Sequence, residues 1–373
     1  MEKIIVYVIP VFFVLIGVEF VYGYMRRRNT YRLNDAISSL SQGLISQLVA
    51  LVTQLFQIGM YSIVYRFAAI FPHVRFWQTA FGWIAAVVLF DFFDYWLHRM
   101  GHESAVMWAA HSVHHQSQDF NLSTALRQES TVVFIGWLFY LPMAVLGVSP
   151  EQFGIAGLIV LIYQFWIHTE HVGKLGWFDR IFSSPSNHRV HHAVNDQYLD
   201  KNYGGMLVIW DRMFGTFAEE KEKCVYGTRT PLKSWDPVWA VVGGYWQLAK
   251  TSASQPHWRD KLRVWFKAPG WLPDYAQASG PAFDLEAASR RYDPPLPLKA
   301  NVFAALQFLL LLAATAVLLW VADDVSYLRL LAVCTAFLIA FWALGAFLEK
   351  RLSGLAVIAI DVIAGAVAFY ILW

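Results

Sequence analysis

The sequence predicts an all-α integral membrane protein: about eight transmembrane helices around a histidine-box di-metal core at the cytosolic face. Three observations carry this. The 373 residues are 57% hydrophobic and only 15% charged, with a mean hydropathy of +0.41, against about 25% charged in soluble domains. Apolar runs recur at roughly the 20-residue length that spans a bilayer. Ten of the twelve histidines fall between His98 and His192 in short patterned clusters; only His73 and His257 lie outside.

The spans are expected near Ile4–Tyr24, Leu44–Ile63, Phe76–Leu97, Thr131–Val148, Phe153–Trp166, Val302–Val321, Leu328–Phe347 and Leu355–Trp373. Many of the Trp and Tyr lie near span ends, where such rings prefer the membrane interface. Arg26, Arg27, Arg28 and Arg32 follow the first span and place that loop in the cytoplasm. No small-residue cleavage site precedes them, so the span reads as a retained anchor. Reversing sides at each later span puts Asp323-Asp324 outside and Lys350-Arg351 inside. All four histidine clusters then land on one face. The organisation expected is membrane anchor spans over 1–75, a histidine-box core over 76–225, a cytosolic or interfacial lobe over 226–300 and C-terminal helices over 301–373. The net charge of +2 gives no case for nucleic-acid binding. The two cysteines, Cys224 and Cys334, indicate no disulfide framework.

The clusters read His98-x₃-His102, His111-x₂-His114-His115, His168-x₂-His171 and His188-x₂-His191-His192. Residues three or four apart share a helix face. His111 and His114 therefore share a face, while His115 points about 100° away, so the triplet can reach two metals. All ten histidines are candidate ligands. Neutral imidazole suits zinc, copper, iron and nickel. Structural zinc commonly includes cysteine ligands, and no thiolate accompanies these boxes. A nitrogen-rich site beside lipid suits two iron ions used to activate O₂ against an unactivated C–H bond. Asp91 and Asp94 lie inside an apolar stretch where an unpaired carboxylate is costly. Orienting the histidines would explain them, since a ligating histidine hands its other ring N–H to a carboxylate or carbonyl. Glu103 and Glu170 each adjoin a box histidine and are candidates for orienting a ligand or a water. Aromatic residues of spans three to five are expected to wall a channel for the lipid tail.

At these residues the chain resembles the fatty acid hydroxylase and sterol desaturase superfamily, whose signature is His-x₃-His followed by two copies of His-x₂-His-His. The stretches Asn121-Leu122-Ser123-Thr124-Ala125-Leu126-Arg127-Gln128, Asp200-Lys201-Asn202-Tyr203-Gly204-Gly205 and Ile209-Trp210-Asp211-Arg212-Met213-Phe214-Gly215-Thr216-Phe217 resemble the branch acting on ether lipids. That resemblance implies a membrane di-iron monooxygenase with tetrahydrobiopterin as reductant. It would hydroxylate the ether-bearing carbon of an alkylglycerol and release a fatty aldehyde and glycerol. It also carries over His98, His102, His111, His114, His115, His188, His191 and His192 as iron ligands, and Glu103 as an essential neighbour of the first box. The alternative is a hydroxylase or desaturase of a sterol, fatty acyl or amino-lipid supplied by an electron-donor protein. A bacterial inner membrane and an endoplasmic reticulum both fit. A metal transporter is disfavoured, because transport needs polar residues spaced through the bilayer and these histidines gather at one face.

Overall fold

The computed structural model describes residues 2–53, 56–277 and 282–372. Among them the chain is helical, and the pairing of extended segments is limited to two isolated bridges, Phe182 with Leu207 and Ala193 with Tyr226. Among the described residues, six helices are long and apolar enough to cross a membrane. They are α1 (Glu2–Met25), α2 (Leu33–Thr53), α4 (Ala80–Glu103), α14 (Leu298–Val321), α15 (Tyr327–Leu348) and α16 (Gly354–Leu372), with α3 (Phe56–Ala68) following α2. The chain is thus a multi-pass membrane protein.

The second span differs from its expectation. The apolar run Leu44–Ile63 straddles α2 and α3 and includes residues 54–55, which lie outside the described residues. Helix α2 starts far earlier, at Leu33, because its polar first half is buried against protein. Asp35, Ser39 and Gln42 are all buried. Asp35 accepts from Arg32 Nη2 at 3.1 Å and Ser117 Oγ at 2.5 Å, and Gln42 donates to the Pro237 carbonyl at 2.9 Å. Buried polar groups are tolerated when paired. A hydropathy pattern cannot see that pairing.

Spans four and five form a shorter apolar hairpin. Helix α7 (Val133–Leu146) ends at Gly147, whose φ is 96°. A Cβ there would lie 2.5 Å from the Phe71 carbonyl, so only glycine makes this turn. Ser149 then caps α8 (Pro150–Trp166) with a capping box and Pro150 in the first turn. Helices α3, α4, α7 and α8 share one core, centred on Tyr61, Phe90, Tyr140 and Phe153. The Tyr61 and Phe153 rings stack at 4.1 Å, and Tyr61 donates to the Val148 carbonyl at 2.8 Å. Helix α2 packs with α14, α15 and α16 in a second core.

The histidine-bearing pieces lie at the other end of this bundle. Helix α5 (Ala105–His115) follows α4 after Ser104, then come the short α6 (Leu122–Ala125), α9 (Pro185–His191) and α10 (Ile209–Phe214). Helices α11 (Pro237–Ser254), α12 (Trp258–Phe266) and α13 (Leu285–Ser289) precede α14. The α11 start abuts α15 through Gly345, and Tyr245 meets Thr131, just before α7, at 2.7 Å. Helix α11 therefore lies across one end of the bundle.

Glu349 receives the Ser234 hydroxyl and the Trp235 amide, and Arg351 pairs with Asp236 at 2.9 Å. A Cβ at Gly345 would sit 2.5 Å from the Trp235 carbonyl. Gly345→Val should push α15 off this segment and cost about 1–3 kcal/mol by overpacking. A detergent-solubilised variant should melt several degrees lower; an unchanged Tm would contradict the close approach.

Candidate metal centre

Four structural pieces deliver the histidines. His98 and His102 end α4, and His111, His114 and His115 end α5. His168 follows the last turn of α8. His188 and His191 lie on α9, which Ser184 caps through the Asn187 amide, and His192 closes that helix. Nine rings converge into two groups whose nitrogens lie within 4.8 Å of one another. The first holds His98, His102, His111, His115 and His191; the second holds His114, His168, His188 and His192. Each His-x₂-His-His box serves both groups. The partners within a group are the i,i+4 pairs His111/His115 and His188/His192, rather than the i,i+3 pair His111/His114.

Hydrogen bonds fix the ring orientation. Nδ1 of His98 lies 2.6 Å from the Tyr203 carbonyl, that of His114 2.9 Å from Arg127 O, that of His168 2.7 Å from Gln164 O and that of His191 3.1 Å from Lys201 O. A carbonyl has no proton to give, so each Nδ1 donates and each Nε2 presents a bare lone pair. His111 Nδ1 faces the Glu129 carboxylate. Yet Nε2 of His114 and of His168, both bare by this argument, stand 3.2 Å apart. Bare lone pairs at that distance repel unless a cation lies between them. Two nitrogens each ~2.1 Å from a shared ion at roughly 90–100° lie ~3.0–3.2 Å apart. Nε2 of His98 and His102 is buried with no partner in the protein. The donor set fits metal ions.

Burial keeps these imidazoles neutral, the form that ligates. It pushes His111 down to about 3 and His114 to about 4. It also drives His115, His168, His188, His191 and His192 well below the usual range, with neighbouring rings adding to the effect. Burial raises the Glu129 carboxyl, with His114 and His98 opposing.

The remaining expected residues stand elsewhere. His171 belongs to neither group: its ring packs edge-on to Tyr22 at 5.2 Å beside α1. Glu103 pairs outward with Arg99 at 2.8 Å, and Glu170 faces Arg28 at 3.6 Å. Asp91 spends its oxygens on the Met206 and Leu207 amides and the Trp210 indole, at 2.7, 3.1 and 2.8 Å. Asp94 accepts from Tyr140 and Gln164. None of these four carboxylates touches a histidine nitrogen within hydrogen-bond distance. Backbone carbonyls do most of the orienting, and the carboxylate that joins them is Glu129. Sequence reasoning missed it; its only signal was an acidic residue just ahead of an apolar run, close after the second box.

The quoted motifs supply those carbonyls. Arg127, buried, donates to Val113 O, Ser38 and Gln116, which fixes its own carbonyl beneath His114. Asp211 accepts from the Tyr203 and Gly204 amides, each at 2.8 Å, and holds the loop that faces His98 and His191. An apolar cavity of about 270 Å³ opens onto His98, His111, His114 and His168. Its aromatic walls are Phe12 and Phe13 of α1, Phe165 of α8 and Phe308 of α14, so the first and sixth spans contribute beside the fifth.

Unfolded imidazoles protonate near pH 6.5, whereas folded His111 and His114 protonate at about 3 and 4. Between those values the unfolded state binds more protons, so stability falls as pH falls. Metal-free protein should lose about 2 kcal/mol per such histidine between pH 7.5 and 5. Thermal melts at the two pH values measure this, and equal melting points would contradict it.

The fatty acid hydroxylase family model matches residues 83–216. Alkylglycerol monooxygenase of Danio rerio is 36% identical over 356 residues, covering 92% of this chain and 77% of that protein. The Xenopus tropicalis alkylglycerol monooxygenase is 36% identical over 314 residues, covering 84% and 69%. The ornithine lipid hydroxylase OlsE of Rhizobium tropici is 31% identical over 142 residues, 38% of this chain and 43% of its own. No solved structure matches the chain. With two buried histidine groups beneath an apolar cavity in a helical membrane protein, these similarities place the chain in the fatty acid hydroxylase family, as a lipid monooxygenase of the alkylglycerol monooxygenase branch.

Proposed function

We propose that this monooxygenase cleaves the ether bond of alkylglycerols, with two irons in the histidine groups and tetrahydrobiopterin as the reductant. The observation that carries the reading is the pair of buried all-histidine groups at the floor of an apolar cavity walled by membrane helices. The named activity of the relatives spanning most of the chain supports the substrate. Iron, when bound, supplies the redox chemistry that activates O₂ against a C–H bond. One oxygen atom enters the C–H bond beside the ether oxygen. The other leaves as water with two electrons and two protons from the reductant. The resulting hemiacetal collapses to a fatty aldehyde and glycerol.

The chain's own groups have assignable tasks. His98, His102, His111, His115 and His191 would hold one ion, and His114, His168, His188 and His192 the other. Glu129 holds the Nδ1 proton of His111, and the carbonyls of Tyr203, Arg127, Gln164 and Lys201 hold those of four more rings. The apolar walls receive the alkyl chain and exclude bulk water. Arg26–Arg28 and Arg32 after α1, with Lys350 and Arg351 after α15, support a cytosolic position for the histidine end.

Membranes containing the protein, given an alkylglycerol, should form aldehyde only with both O₂ and tetrahydrobiopterin, and lose it on iron chelation. Absence of aldehyde from protein loaded with two irons would reject the substrate or the reductant. His114→Ala should lower metal content and cut turnover at least ~100-fold, since even outer residues cost 10–100-fold. His171→Ala should retain its metal. Equal metal loss in the two variants would reject the grouping.

A further inference from the structure

We propose that Asp94, held by Tyr140 and Gln164, is a hydroxyl-binding subsite that selects lipids with a free hydroxyl head; this rests on the lipid-monooxygenase reading of the adjoining histidines. Asp94 sits one turn before His98 on α4. Gln164, in the last turn of α8, sits four residues before His168, and its carbonyl receives the His168 Nδ1 proton at 2.7 Å. The Asp94–Gln164 pair is therefore bracketed by one ring of each histidine group.

A carboxylate inside a membrane span is costly unless it is partnered. Asp94 has no ion pair among the described residues. Tyr140 donates to Oδ1 at 2.7 Å, and Gln164 Nε2 approaches Oδ2 at 3.4 Å, beyond the usual 2.7–3.2 Å range. A carboxylate offers about four lone-pair sites, so acceptor capacity is left over. Asp91, one turn earlier, is the contrast: three donors from the 206–210 segment occupy it. Asp91 is a clamp with three donors, whereas Asp94 has one short and one long donor and acceptor capacity to spare.

The spare capacity faces open space. Asp94 lines the cavity above the histidines and also a second cavity of about 320 Å³ among Phe56, Phe90 and Phe153. Gln164 and Leu161 line both as well, so the carboxylate stands where two largely apolar cavities meet. Gly205 closes the remaining side: a Cβ there would lie 3.1 Å from Asp94 Oδ2 and 2.9 Å from Gln164 Nε2. A carboxylate accepts from hydroxyls but gains nothing from ether or ester oxygens. A polyol head with free O–H groups fits it, and a fully alkylated head leaves its remaining acceptor sites buried and unfilled. Sites of this kind reject analogues lacking the hydroxyl far more strongly than apolar pockets reject one methylene.

The test compares 1-O-hexadecylglycerol with hexadecyl propyl ether, which keeps the chain and ether oxygen but has no hydroxyl. Lipid retention by purified holoprotein is read by mass spectrometry, metal content alongside, and aldehyde in parallel. Wild type should prefer the diol by about 10⁴-fold, and Asp94→Leu should bring the ratio within about 3-fold with metal content retained. Gly205→Ala, which crowds Asp94 and Gln164 without removing either, should raise KM for the diol more than it lowers kcat; it also serves if Asp94→Leu does not fold. An unchanged preference in both variants, or no preference in wild type, overturns the subsite. Selective diol binding without aldehyde would instead reject ether cleavage and leave the subsite standing.

Discussion

The structure depends on one constraint: nine imidazoles must stay neutral and turn their free nitrogens inward. Such a position is cheapest where the ring's other nitrogen has an acceptor, because a buried unpaired N–H costs about 1–3 kcal/mol. Four rings meet this with backbone carbonyls and one with Glu129. Those carbonyls belong to loops, so each loop needs its own anchor. Asp211 and Asn202 fix the segment carrying Lys201 and Tyr203, and Arg127 fixes its own stretch through three donors. The polar residues packed around the boxes exist to keep acceptors still.

The same requirement reaches into the membrane helices. Arg32 joins Asp35 at the start of α2 to Asp119 after the second box, at 3.1 and 3.0 Å, and Arg291 adds a second cation to Asp119 at 2.9 Å. These pairs are buried or half-buried on the carboxylate side, where breaking one partner is strongly destabilising. They tie α2, the second box and the segment before α14 into one unit. Helix α14 in turn brings Phe308 and Leu312 to the cavity wall. The C-terminal helices carry no histidine, yet α14 shapes the space above the histidine groups.

Much of this was legible in the sequence, for reasons that can be named. Membrane helices such as α1, α4 and α14–α16 announce themselves by hydropathy, because lipid tolerates little else. The box histidines announce themselves by spacing, since i,i+4 rings on a short helix have few other uses. What stayed hidden depends on tertiary pairing. Helix α2 buries Asp35 and Gln42 against partners far away in sequence, so no local pattern marks its start. Asp91 and Asp94 look equivalent on one helix face, yet one binds the 206–210 segment and the other faces a cavity. Glu129 meets His111 only because the chain between them turns back on itself.

The distribution of ligands across the boxes carries a further consequence for folding. His114 belongs to one group while His111 and His115 belong to the other. His191 is likewise separated from His188 and His192. Helices α5 and α9 are therefore each shared between the two histidine groups, and neither group can form without both helices in register. A one-residue slip of either helix would rotate its rings by about 100° and disturb both sites together. The two groups form a single assembled unit, and the spacing His-x₂-His-His is the sequence form of that sharing: His111 and His115 of α5 belong to one group, and His114 between them belongs to the other.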